Sequence, residues 1–276
     1  MNNQINNQIN IENVACFFYS NNSRYDKLLE CATKSFKAFH PDIKIYILNQ
    51  INAEVYHAVD KFEQALSICL ENNIKKCIFL GSDTITCARL TEFLESSEDI
   101  LATLDYPYQL RTQYVTTPDS ETHLNADVLC VNNLSFLYKI CQITKNYPTH
   151  YYEQGALNQI VWNSINNYSY KIIDYPYKES KIIYNVRSKG NITDESGTKP
   201  WKNYTNSWKV IDNKLYSHDE KQIKVFHYCE GLGNLNDNLF IEIVNYWINE
   251  AFNLETKIFF NENCDCGDFF CKDFNL

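Results

Sequence analysis

Between residues 14 and 104, short apolar runs alternate with segments whose apolar residues recur at helical spacing. That alternation constrains the fold more than any other feature of the chain. Residues 14–19 (VACFFY) read as a buried strand running into Ser-Asn-Asn-Ser. Leu28, Leu29, Ala32, Phe36 and Phe39 mark one face of a helix over residues 26–39, which His40-Pro41-Asp42 stops. A second strand is predicted over 43–48, a longer helix over 53–71, and a third strand over 77–80. A short helix over 90–95 and a strand over 100–104 follow. Elements of these lengths in this order predict a parallel sheet covered on both faces. Ligands in such sheets gather beyond the carboxyl ends of the strands, here residues 19–25, 81–85 and 105–111.

Beyond residue 104 the pattern loosens. A strand is predicted over 126–131, helices over 135–144 and 154–166, a late strand over 223–228 and a final amphipathic helix over 238–252. Residues 184–209 mix Gly, Asn, Thr and Trp and read as a long excursion. The expected organisation is a disordered Asn/Gln-rich tail over 1–12, then one domain over 13–276. That domain carries a loose excursion near 184–220 and a C-terminal helix and tail. There is no internal repeat.

Composition removes several classes of function. A net charge of −9 argues against a nucleic-acid partner, which needs a basic face. It leaves room for one phosphate-bearing small ligand held by a local cation. Eleven cysteines, an odd number scattered singly through predicted elements, read as reduced, buried thiols rather than a disulfide framework. The polar N-terminus does not read as a signal peptide, and no run approaches the roughly 18–20 apolar residues of a membrane span. A cytosolic setting is the expectation, with homo-oligomerisation left open. The C-terminal Cys264, Cys266 and Cys271 match no common four-ligand zinc spacing and read as free thiols.

The local feature with most chemistry in it is Asp83, just past the apolar strand Ile78-Phe79-Leu80. A carboxylate at a strand end is held rigidly toward the ligand crevice, where it can bind a divalent cation that bridges to a diphosphate. An Asp in this position also serves as an ordinary turn former or cap.

The neighbourhood of Asp83 is informative. The segment Lys76-Cys-Ile-Phe-Leu-Gly-Ser-Asp-Thr-Ile resembles the strand and Asp-x-Asp motif of glycosyltransferase family 8, the group that includes glycogenin. The family's usual form is Asp-Ala-Asp-Thr; here Gly81 replaces the first Asp and Asp83 keeps the second. Leu124-Asn125-Ala126-Asp127 is similar to the family's Asn-Ser-Gly strand beside the donor sugar. Tyr152-Glu153-Gln154 to Asn158 resembles its Asp-Gln-x-x-Leu-Asn helix start, and Lys224-Val225-Phe226-His227 its late strand ending in a metal-binding His. All four stand in the family order over roughly residues 14–233.

The resemblance implies an α/β domain of the GT-A (nucleotide-diphospho-sugar transferase) fold, with a mixed, mostly parallel central sheet flanked by helices. It implies a retaining transferase that takes a UDP-sugar and a glycan or other hydroxyl acceptor. Asp83 and His227 would hold Mn²⁺ or Mg²⁺. Tyr19, Ser20, Asn21 and Tyr25 would meet the nucleotide, with Ser82 beside Asp83. Asn125 and Asp127 would bond sugar hydroxyls, and Glu153 and Gln154 would stand near the anomeric centre. The family's late Gly-x-x-Lys-Pro-Trp is absent after His227, so backbone N–H groups at Gly231 and Gly233, or a folded-back Lys199-Pro200-Trp201, would take over the phosphates.

Each residue also has a plainer reading. Tyr19 and Tyr25 are core packing in a chain with 20 tyrosines. His227 is a structural strand-end His, and Asp127 points to solvent. Glu153 and Gln154 are first-turn residues of a helix. Lys61 could approach phosphates from its helix, but it reads first as a solvated residue on a helix face. Two rival functions remain: a catalytically weak or inactive relative that binds a nucleotide sugar or glycan, suggested by Gly81 and the missing Lys, and a nucleotidyltransferase, against which stands the lack of a Gly-rich basic loop near the first strand.

Overall fold

The computed structural model describes residues 11–20, 26–49, 57–104, 124–146, 152–163, 167–174, 179–187, 209–212, 214–217 and 220–227. The first half alternates as the apolar pattern predicts: β1 (Val14–Ser20), α1 (Asp26–Phe39), β2 (Lys44–Asn49), α2 (His57–Asn72) and β3 (Lys76–Gly81). Then come β4 (Thr84–Thr86), α3 (Thr91–Glu95), β5 (Ile100–Leu104), β6 (Leu124–Val131), α4 (Leu134–Asn146), α5 (Tyr152–Trp162) and β7 (Tyr170–Ile172). The last described strands are short: β8 (Ile182–Ile183), β9 (Val186–Arg187), β10 (Lys209–Ile211), β11 (Lys214–Tyr216), β12 (Gln222–Ile223) and β13 (Val225–His227).

The main sheet has six strands in the order β2-β1-β3-β6-β5-β7. Its β1, β2 and β3 are parallel neighbours, as are β5 and β7, but β6 runs antiparallel between β3 and β5. The sheet is therefore mixed and mostly parallel, not wholly parallel. Side chains alternate along each strand. On β1, Ala15 and Phe17 enter one core with Phe62, Ala65, Leu137 and Leu157 of α2, α4 and α5. Val14, Cys16 and Phe18 enter the other, with Ala32 and Phe36 of α1 and Phe93 of α3. Burial on both faces explains why the strands read as continuous apolar runs. Among the described residues no helix is long and apolar enough to cross a membrane.

Three sequence expectations need adjusting. Residues 11 and 12, expected in the disordered tail, begin a 3₁₀ turn (Ile11–Asn13) in which Ile11 packs on the core. The excursion near 184–220 is partly built of strands that form two small sheets, β10-β11-β12-β8 and β4-β13-β9. The late strand expected over 223–228 is broken at Lys224. There the chain leaves one small sheet for the other, with Lys224 N–H donating to Ile183 O (2.7 Å) and Lys224 O accepting from Cys87 N–H (2.8 Å). The expected helix over 238–252, the segment 105–111 and the C-terminal cysteines lie outside the described residues.

Candidate functional site

The ends of β1 and β3 lie side by side, with Tyr19 opposite Gly81 in the parallel ladder. After Gly81 the chain turns through Ser82 and Asp83, and the Thr84 hydroxyl secures the turn by donating to Gly81 O at 2.7 Å. A Cβ on Gly81 would stand 2.7 Å from Asp83 Oδ1 and 3.4 Å from Asp127 Cβ. Glycine here makes room for the carboxylate at the neighbouring turn and for the facing strand.

The small sheet carries His227 to this place. β13 pairs antiparallel with β4, His227 opposite Thr84, and parallel with β9, His227 opposite Arg187. His227 is buried, with Nε2 3.1 Å from Asp83 Oδ1 and Nδ1 3.0 Å from Asn185 Oδ1. The two residues expected to share a cation are thus in contact. Asn185 carried no signal in the sequence, since its position depends on which strand β13 chooses as partner.

The second half of the site is a bulge in β6. The β5–β6 register shifts between Leu101 and Thr103, and the ladder to β3 ends at the Leu80–Val128 pair. Such a bulge bends the strand and leaves backbone groups to be satisfied by side chains. Asn125 Oδ1 accepts from Asp127 N–H (2.8 Å) and Val128 N–H (3.0 Å), and the Thr103 hydroxyl donates to Val128 O (2.9 Å). Asn125 is itself buried, so its amide serves the bulge. Asp127, with a side chain 41% exposed, faces outward.

The start of α5 docks on the same bulge. Gln154 Oε1 accepts from Ala126 N–H (3.2 Å) and Asn125 Nδ2 (3.3 Å). Asn158 acts as a substitute strand for Leu124, accepting from its N–H at 2.9 Å and donating to its C=O at 3.0 Å. Gln154 is therefore more than a first-turn polar residue.

Lys61 departs from its reading as a solvated residue. It is buried, with Nζ 3.0 Å from Asp127 Oδ1 and 3.7 Å from Glu153 Oε1. The signal was in the helical spacing, because Lys61, Ala65 and Cys69 form one buried stripe of α2. Burial opposes its charge, but Asp127 and Glu153 outweigh burial and hold the ammonium above its ordinary value. Glu153 is pushed up, by burial first, against the pull of Lys61 and with the repulsion of Asp127. Lys61 thus gathers two carboxylates, one from β6 and one from α5.

Tyr19 is half-buried and packs against the core beneath it; burial, then the charge of Asp60, pushes its phenol up. Ser20 ends β1, and Ser82 is buried in the Gly81–Asp83 turn. Asn21, Tyr25, Gly231 and Gly233 lie outside the described residues.

The architecture has known counterparts. Galactosyltransferase LgtC, solved in complex with donor and acceptor sugar analogues, superposes with a TM-score of 0.50 over 87% of this chain and 94% of LgtC, at 15% identity. The chain has the GT-A fold. The bifunctional glycosyltransferase WbbM shares this fold at a TM-score of 0.51 and 12% identity, covering 88% of this chain and 51% of WbbM. No family model matches the sequence, and no curated protein matches it either. Within the GT-A fold, Asp83, His227, Asp127, Glu153 and Gln154 stand on elements that meet at one end of the main sheet.

Proposed function

We propose that the chain is a hexosyltransferase that moves a sugar from a UDP-sugar to a hydroxyl acceptor, with retention of configuration and with Mn²⁺ or Mg²⁺. The contact between His227 Nε2 and Asp83 Oδ1, 3.1 Å apart, carries this reading. Asp83 and His227 would hold such an ion together, since their donor atoms are close enough for one cation to reach both. An imidazole nitrogen with a carboxylate oxygen also suits these metals. Among the described residues no third His, Cys, Asp or Glu joins them.

Bound by Asp83 and His227, a cation would supply stabilisation of the negative charge that develops on the departing diphosphate. The protein's own part is to hold the reactants. Tyr19, Ser20, Asn21 and Tyr25 receive the nucleotide, and backbone N–H groups at Gly231 and Gly233 receive phosphate. Asp127 accepts hydrogen bonds from sugar hydroxyls, and Asn125 shapes the strand that presents it. Glu153 and Gln154 flank the anomeric carbon, while Lys61 fixes the Asp127 and Glu153 carboxylates so that binding orients the sugar. The free, buried thiols Cys16, Cys69, Cys77, Cys87, Cys130 and Cys141 support a reducing, cytosolic setting.

Gly81 favours one rival, a binding module without turnover, because it removes a carboxylate from the donor end. Titrating UDP with and without Mn²⁺, followed by UDP-sugar hydrolysis, separates the two. The transferase reading expects metal-linked binding and slow hydrolysis that Asp83→Ala lowers by about a hundredfold or more. Metal-independent binding with no hydrolysis supports the module. Undiminished turnover in Asp83→Ala refutes the site.

A further inference from the structure

Three residues at the ends of the three strands of one small sheet touch in sequence: Asp83 just before β4, His227 ending β13, and Asn185 just before β9. Asn185 and His227 are both buried. Asn185 Nδ2 donates to the carbonyl oxygen of Leu104, the last residue of β5, at 3.0 Å. A carbonyl can only accept, so this bond dictates which end of the amide is which. Asn185 Oδ1 is then the atom facing His227 Nδ1 at 3.0 Å. An amide oxygen can only accept, so Nδ1 must carry the hydrogen. In a neutral imidazole that leaves the lone pair on Nε2, the nitrogen 3.1 Å from Asp83 Oδ1.

Two acceptors facing each other at that distance repel unless a positive charge joins them. The surroundings hold the arrangement in place. Asp174 accepts from Leu104 N–H (3.0 Å) and from Tyr184 N–H (3.2 Å), so one buried carboxylate joins the strand that holds the Asn185 amide to the segment bearing Asn185. Neither Asn185 nor Asp174 touches the crevice acids directly in these bonds. Both act through His227.

We infer that Asn185 is a positioning residue: it locks His227 in the Nδ1–H form, so that Nε2 is presented with Asp83 to a divalent cation. This rests on the proposed metal-dependent reading of the site. A ligating imidazole whose second nitrogen is so held keeps its ring orientation and its basicity. The neighbouring amide therefore governs how strongly two protein ligands grip an ion for which no third has been found among the described residues.

Two measurements test this. The chain labelled with ¹⁵N-histidine is examined in the presence of UDP and Mg²⁺, with the His227 ring assigned by its loss in His227→Gln. A ring protonated at Nδ1 and not at Nε2 is expected. The opposite tautomer overturns the inference, whatever the variants do. Mn²⁺ affinity in the presence of UDP is then read by electron paramagnetic resonance of the free ion. Asn185→Leu, of similar shape but unable to bond the ring, should bind Mn²⁺ roughly ten- to a hundredfold more weakly. Its affinity for UDP without metal should be kept, and its His227 ring should show mixed tautomers. Unchanged Mn²⁺ affinity in a folded Asn185→Leu sinks the inference alone. If the unaltered chain with UDP fails to bind Mn²⁺, the metal-dependent reading falls and the inference falls with it.

Discussion

The carboxylate of Asp83 lies folded back over Gly81, so close that a Cβ on Gly81 would stand 2.7 Å from Asp83 Oδ1. What looks in the sequence like the loss of an acid is, in space, the clearance that lets the remaining acid reach His227. The obstructed atom is the end of a flexible side chain, so the fold can yield where the site cannot.

Gly81→Ala should therefore leave the melting temperature almost unchanged while turning Asp83 away from His227. Mn²⁺-linked UDP binding is expected to weaken by about tenfold or more, as for other changes that disturb a ligand indirectly. Calorimetric titration of UDP with and without Mn²⁺ reads this. Equal metal-linked affinity in both proteins would show that Gly81 does not secure the position of Asp83.

Lys61 makes a different prediction. Removing one member of a buried ion pair strands its partners, at a cost of about 3–5 kcal/mol. Asp127 is partly exposed and recovers water, so Lys61→Met should lie near the lower end of that range. Urea unfolding measures it. Loss of a few tenths of a kcal/mol only would return Lys61 to the solvated role that its charge alone suggests.

His40 sets a dependence on pH that is unrelated to the crevice. Its Nε2 accepts from Leu90 N–H at 3.1 Å, and burial, then the charges of Arg89 and Lys224, lower its pKa from 6.5 to about 4. Between those values the unfolded chain binds the proton and the folded one does not, so this residue's contribution to stability falls as pH drops through that window. Burial pushes Asp174 up to about 6, which acts in the opposite sense, but equally in both proteins. His40→Gln keeps an acceptor for Leu90 and cannot take the proton. Its melting temperature should fall less than that of the unaltered chain between pH 7 and pH 4.5, and parallel curves would refute the assignment.

Much of the candidate site's local structure was legible because its signals are local. Asp83 follows an apolar strand, and the segment from Glu153 to Asn158 opens a helix; each is written in a few adjacent residues. Asn125 and Gln154 were expected beside the sugar, and the structure brings them into contact with each other through the bulge of β6. Lys61 was misread because its charge was weighed above the spacing that sets it in one buried stripe of α2 with Ala65 and Cys69, and the sequence does not show what waits beneath that face. Only when α2 is laid over β6 and α5 do two carboxylates lie within reach of its ammonium.

The sequence by itself determined the order β1, α1, β2, α2, β3, α3, β5, because apolar periodicity dictates what each segment must bury; the three-residue β4 (Thr84–Thr86) was too short to show a period. It also placed Asp83 and His227 at strand ends. Tertiary structure alone decided that β6 enters the sheet antiparallel, that β13 leaves one small sheet for another, and that Asn185 comes to lie against the far side of the His227 ring. Strand pairing joins residues far apart in the chain, and the energy that selects one partner over another is shared among many contacts. No short run of residues records that choice.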